Sequence, residues 1–251
     1  MMKRIRSKLP SPLLFLALLL LLSAGCSARA ENLSLVPADD LFARAEAAMD
    51  RGDIDTAIGL YDYFVIQHIG HPRVADARLR LGMAHMAKRE YATAASNFQS
   101  FVNDFPFHEL ALQARFQTCE AYYLLSPKIP LDQEYTRSAI LYCQSVGEYY
   151  PGTEEGRIAA ERVQELTTKL ATKVFDTGMH YVRRGAFDSA IVYLNEVANN
   201  YPQTAVAPAA LSQLVDTYTR IGYVEDAAEA RERLIREYPR SPEAVARVAE
   251  S

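Results

Sequence analysis

The chain has 251 residues, with 27 basic and 31 acidic side chains, no Trp and a net charge of −4. A mildly acidic balance argues against nucleic acid as a partner, because phosphate binding needs a basic face. The length suits one elongated domain or two small ones. The few, regularly placed Gly and Pro predict helices punctuated by turns, with no alternating run long enough for a strand.

The N-terminus opens on Lys3, Arg4, Arg6 and Lys8, followed by an apolar run of ten residues, Leu13–Leu22. That length suits a secretory h-region and is short for a bilayer span, which needs roughly 20 residues. Ser23, Ala24 and Gly25 then lead to Cys26. A small residue before a Cys at the end of an h-region resembles the lipobox of bacterial lipoproteins, although Ser23 stands where that family prefers Leu. The resemblance implies that residues 1–25 are a signal peptide and that Cys26 carries a lipid. Such a lipid would hold the chain on a membrane without spanning it. Four basic and no acidic residues precede Cys26, so the net charge from there onward is −8. Residues 26–37 read as a short polar, lipidated tether.

Self-similarity follows. Five segments close alike: QHIGHP (67–72), NDFPFH (103–108), EYYPGT (148–153), NNYPQT (199–204) and REYPRSP (236–242). Each follows an amphipathic stretch with an early Ala. The step from that Ala to the closing Pro is 12 residues in three cases, 94→106, 190→202 and 227→239. Leu81-Gly82, Tyr91, Ala94, Phe98 and Pro106 follow the tetratricopeptide pattern, which places a Leu-Gly, aromatic residues, an Ala and a Pro along a helix–turn–helix unit. The expected fold is therefore all-α, a tetratricopeptide-repeat superhelix of about five helix–turn–helix repeats. Small residues (Gly82, Cys119, Gly178, Ala57, Ala94, Ala139, Ala190, Ala227) let paired helices approach, and Gly82 is expected to face Ala94. No repeat can bury its apolar face alone, so stacking is required.

Two features interrupt the array. The connector SPKIPLDQE replaces a tight turn between Leu125 and Tyr135, and 154–184 reads as one helix of about 45 Å. That long helix links an N-terminal half, 38–153 with repeats one to three, to a C-terminal half, 154–251 with repeats four and five. Pro242 onward reads as a capping turn or helix. Cys119 and Cys143 fall on neighbouring helices, and export places them where disulfides form. Spacing leaves both a disulfide and two small buried thiols open.

The YP-x-S/T endings, the insertion Ser126–Gln133, Tyr135-Thr136-x-x-Ala139 and the long helix running into Tyr181-x-x-Arg184-Gly185-Ala186-Phe187 resemble the BamD family over about residues 38–245. These are outer-membrane lipoproteins with five tetratricopeptide repeats that serve the β-barrel assembly machinery. Two positions depart from the family pattern: Ile69 replaces the first YP proline, and Tyr193 stands where Arg is common. The resemblance implies a scaffold on the periplasmic face of the outer membrane. Its partners would be unfolded outer-membrane protein substrates and a membrane-embedded β-barrel assembly subunit, the latter docked around Arg184 and Tyr193. An envelope lipoprotein for cell division and peptidoglycan coordination, or for pilus or secretin assembly, is the alternative built on the same repeats.

No catalytic constellation, cofactor motif or metal-ligand spacing emerges, and an enzyme is not expected. His68 and His71 read as a surface pair at a helix end. A binding surface is expected instead. The first helix of each repeat would line a groove, and the repeat register places Phe42, Met49, Leu79, Met83, Met86, Phe116 and Tyr123 along it as peptide-binding residues. Met-rich apolar surfaces suit adaptable peptide recognition. The acidic groove rim disfavours capture of a free carboxylate unless Arg78, Arg80 or Arg115 turns inward.

Overall fold

Each helix start and stop in this chain has a local cause, and the causes repeat. A computed structural model describes residues 32–249; the signal segment and Cys26 lie outside the described residues. After a 3-10 turn at Leu33–Leu35 come α1 (Ala38–Asp50), α2 (Ile54–Gln67), α3 (Val74–Ala87), α4 (Tyr91–Asp104), α5 (Ala111–Leu125) and α6 (Glu134–Tyr149). They are followed by α7 (Glu154–Arg183), α8 (Phe187–Asn200), α9 (Ala207–Ile221), α10 (Val224–Glu237) and α11 (Pro242–Ala249). No strand occurs among the described residues, and no helix among them is long and apolar enough to cross a membrane.

The second helix of every repeat stops at one conformation. His68, Phe105, Tyr150, Tyr201 and Tyr238 have φ between −120° and −132° and ψ between 42° and 54°. In four of them the next residue is Pro, whose ring excludes the helical region for the residue before it. The 12-residue step from Ala also holds for 139→151, and for 57→69, where Ile69 replaces Pro. His68 keeps the conformation without proline because its ring and that of His71 pack on Phe64, with centroids at 5.2 and 5.3 Å.

The turn then closes the same way five times. The amides of His71, His108, Thr153, Thr204 and Ser241 donate to the carbonyls of the five stop residues. Four of the same five side chains seat the start of the next repeat. His71 Nδ1 and His108 Nδ1 each accept a backbone N–H two residues on at 3.2 Å. Thr153 Oγ1 and Ser241 Oγ accept one three residues on, at 3.0 and 3.1 Å. Thr204 instead donates to Tyr201 O at 2.8 Å. His68 and His71 are thus half-buried structural residues rather than a surface pair.

In repeats two, three and four, the residue four after the early Ala meets the small residue of the first helix. A Cβ on Gly82 would lie 2.5 Å from Phe98 Cε1, and one on Gly178 would lie 3.2 Å from Leu194 Cδ2. Gly82 therefore faces Phe98, not Ala94: the contact comes one helical turn later. Repeat three fills the same two positions with Cys119 and Cys143, joined in a disulfide with Cα atoms 4.7 Å apart. Tyr61, Phe64, Phe98 and Phe101 are fully buried. Side chains of that size each contribute about 2–3 kcal/mol by leaving water.

The long helix α7 has 30 residues and joins two parts of the core. Its first half packs Val163 against the disulfide-centred cluster that includes Ala159. Its second half lays Val174, Phe175, Tyr181 and Val182 on Leu194 and its neighbours. The connector between α5 and α6 is held from both sides. Gln133 is buried and its amide donates to the carbonyls of Lys128, Ile129 and Leu131. From α7, Lys169 donates to Ser126 Oγ at 2.8 Å and Lys173 to Leu131 O. Ala244 of α11 closes the C-terminal end of the core.

Candidate peptide groove and partner face

The seven apolar residues expected along the groove divide into two groups. Phe42, 2 % exposed, packs edge-on against Tyr61 and Phe64 beneath the Arg73 guanidinium, 3.6 Å from the ring centroid. Leu79, 4 % exposed, lies in the cluster of Phe98 and Phe101. Both are core residues with no surface for a ligand. The helical period that aims a groove residue also aims the next-turn residue at the neighbouring helix, and these two belong to that inner row. Met49, Met83, Met86, Phe116 and Tyr123 remain half-buried, the first four packed on the clusters beneath them.

Charges around this row are mostly paired. Arg80 approaches Glu46 at 3.4 Å, and Arg78 pairs with Asp104. Glu46 also accepts the Tyr61 hydroxyl, and burial together with that carboxylate raises the Tyr61 pKa far above the phenol range. Tyr123 is tied down from α7: its hydroxyl donates to Glu165 at 2.8 Å, and Arg162 stacks 3.9 Å over its ring while reaching Glu120 at 3.2 Å. Burial, then the Glu165 hydrogen bond, pushes the Tyr123 hydroxyl upward. Tyr123 thus holds repeat three against the long helix and offers only its edge to a ligand.

Of the three arginines, Arg115 turns into a cavity, but one that none of the groove row borders. Its guanidinium lies 4.8 Å over Tyr149, and its Nε is buried with no hydrogen-bond partner. It borders a cavity of about 260 Å³ among α4, α5 and α6, lined also by Gln99, Asn103, Thr118, Tyr142 and Ser145. This polar pocket with one cation can accept an acidic group. It was hidden in the sequence because its lining comes from three helices. The one legible part is a repeated pair: Gln99 Nε2 donates to Tyr122 OH at 3.0 Å, and Asn195 Nδ2 to Tyr218 OH at 3.2 Å.

Arg184 follows α7 as its C-cap and is exposed, and Tyr193 lies in α8. Tyr193 stacks on Tyr181 with centroids at 5.4 Å and planes 5° apart. On its other side it borders a cavity of about 280 Å³ shared with Gln133, Arg137, Lys173, Glu196 and Tyr201. Arg184 lies about 16 Å further along α7 than Lys173 and does not reach that cavity. Among the described residues, no three His, Cys, Asp or Glu side chains gather as metal ligands would.

A stack of helix pairs with a half-buried Met and aromatic row defines a tetratricopeptide-repeat scaffold, a class that works by holding other proteins. The family described as YfiO, outer membrane lipoprotein, matches residues 35–234, and the chain belongs to that family. It is 28% identical over 211 residues to the outer membrane protein assembly factor BamD of Caulobacter vibrioides, covering 81% of this chain and 68% of that one. It is 24% identical over 236 residues to the BamD of Rickettsia prowazekii, covering 94% and 93%. The TPR2AB domain of yeast Sti1, solved as a complex with pHSP90, is similar at a TM-score of 0.43 and 16% identity, covering 85% of this chain and 82% of that one.

Proposed function

We propose that this chain is a lipid-anchored scaffold subunit that helps fold and insert β-barrel proteins into the outer membrane. It would stand on the periplasmic face, held by a lipid on Cys26, and would act by binding rather than by catalysis. Membership in an outer membrane lipoprotein family carries the reading, and relatives named as assembly factors support it. Residues 38–153 receive unfolded barrel segments on Met49, Met83, Met86, Phe116 and the edge of Tyr123. Residues 154–251 dock the membrane-embedded assembly subunit around Arg184 and Tyr193. The supporting observation is physical: Met49, Met83 and Met86 pack on core clusters yet stay partly exposed, which suits ligands of variable sequence.

Two double variants separate the halves. Met83→Asp with Phe116→Asp is expected to abolish binding of a peptide ending in an aromatic residue, since a few apolar anchors dominate such interfaces at about 2 kcal/mol or more each. Co-purification of the assembly subunit should survive. Arg184→Glu with Tyr193→Ala should do the reverse. Fluorescence anisotropy reads the peptide and affinity capture reads the subunit; loss of both partners in both variants overturns the division of labour.

A further inference from the structure

The three most exposed large apolar residues among the described residues are Phe107 at 99 %, Leu35 at 80 % and Ile69 at 76 %. Scattered apolar residues on a surface are ordinary. These three share a place. Leu35 ends the short turn before α1, Ile69 lies in the turn from α2 to α3, and Phe107 lies in the turn from α4 to α5. The three segments meet on one edge of the stack. Asp39 of α1 reaches His71 at 3.8 Å and Arg73 at 4.0 Å across the first turn. Leu33, Val36 and Phe105 pack on a single buried cluster beneath Leu35 and the Phe107 turn. Each apolar tip is flanked by a half-buried residue, Val36, His68 or His108, that packs on the core.

The same edge is where the chain leads back to Cys26. Six Cα-to-Cα steps lead from Cys26 to Asn32, so these two Cα atoms can be no more than about 22 Å apart. A lipid at Cys26 would confine this edge to the immediate neighbourhood of the bilayer. The far end of the stack, where Val224 opens α10, has no such leash.

We propose that the edge carrying Leu35, Ile69 and Phe107 rests in the interfacial zone of a lipid bilayer, making the protein lie on the membrane by apolar tips beside its anchor. The proposal rests on the reading of Cys26 as the point of attachment. It fits the charge: an acidic chain gains nothing from an anionic surface, so contact must come from apolar burial. A protruding Phe or Ile at the level of the headgroups gives that at small area.

The chain has no Trp, and Cys119 and Cys143 are joined, which leaves Cys26 as the single free thiol of the chain from Cys26 onward. Coupling Cys26 to a maleimide lipid in phosphatidylethanolamine–phosphatidylglycerol vesicles tethers the protein independently of cellular lipidation, which mass spectrometry of Cys26 checks separately. Phe107→Trp is then a unique reporter at a fully exposed site, and Val224→Trp is its counterpart at the far end. With brominated acyl chains, Phe107→Trp emission should fall about two-fold or more while Val224→Trp is unchanged, as shallow insertion requires. Equal emission changes in the two variants, or no change in Phe107→Trp, overturn the proposal. So does a Phe107→Trp blue shift seen only when the assembly machinery is added, because a protein then covers the edge. A second readout uses the untethered Cys26→Ala chain. Leu35→Ser, Ile69→Ser and Phe107→Ser together should weaken its vesicle sedimentation about ten-fold or more at high salt, and unchanged sedimentation overturns the proposal.

Discussion

Repeats two and three place different chemistry at one address. In repeat two, Gly82 receives the ring of Phe98; in repeat three, the equivalent Cys119 and Cys143 are covalently joined. The partner residue stands four after the early Ala in both, Ala94 and Ala139. The two repeats also differ in their internal turns. Repeat two turns tightly through Arg89, with Glu90 N–H donating to His85 O, whereas repeat three carries the connector held by Gln133, Lys169 and Lys173. The difference teaches that the repeat requires close approach at this point but not a particular means of achieving it. A large ring on a bare backbone fills the space by shape. Two small side chains cannot, and the bond between them restrains a hairpin whose loop is long.

The largest effect should come from blocking the approach in repeat two. Gly82→Leu puts a side chain where even a Cβ meets Phe98 at 2.5 Å. Because the obstacle is a packed ring with little room to move, the cost should be about 3 kcal/mol, the upper end of overpacking. Urea denaturation measures it. A midpoint equal to that of the unmodified protein would show that the ring moves freely and that the address is not tightly shared.

Opening the disulfide comes next. The bond closes a segment of 24 residues, and on a chain-entropy basis Cys119→Ala with Cys143→Ala should lower stability by about 3 kcal/mol. Cys119→Gly with Cys143→Phe, which copies repeat two, should recover part of that loss. The converse, Gly82→Cys with Phe98→Cys, should form a second disulfide, seen as a two-dalton deficit in intact mass. Free thiols in that variant would break the equivalence of the two repeats.

The smallest effect concerns the tight turns. Gly52, Gly185 and Gly222 occupy the left-handed region at φ +75°, +72° and +82°, and Arg89 takes the same place in repeat two at +63°. A side chain there costs about 1–2 kcal/mol, part of which glycine returns through its freer unfolded chain. Arg89→Gly should therefore raise stability by about 0.5–1 kcal/mol, and Gly185→Ala should lower it by a similar amount. Thermal unfolding ranks them; a destabilised Arg89→Gly would show that Arg89 makes a compensating contact.

Much of this architecture was legible because it depends on local rules. The proline stops, the early Ala positions and the long helix from 154 were readable from period and spacing, and the structure adds that repeats one and three keep the same 12-residue register. Side-chain direction was less legible. Phe42 and Leu79 look like groove residues by period yet belong to the core, because a first helix in a stack has neighbours on both sides and its apolar positions exceed the groove. His71 illustrates the opposite error of emphasis. By sequence it reads as half of a surface pair, but it and His108 each seat the next repeat, packed on an aromatic residue seven positions earlier.

The sequence by itself determined that this chain is a helical repeat array with its breaks at Ser126–Gln133 and 154–184, because helix termination and amphipathic period are written in neighbouring residues. It also held the family resemblance that the match over residues 35–234 bears out. Only the tertiary structure decided that Cys119 and Cys143 meet, that Gly82 accepts Phe98, that Arg115 turns into a polar cavity and that Leu35, Ile69 and Phe107 share one edge. Those facts depend on which helices lie side by side and at what depth. Helix packing sets that depth through contacts between residues far apart in the chain, and no local pattern records it.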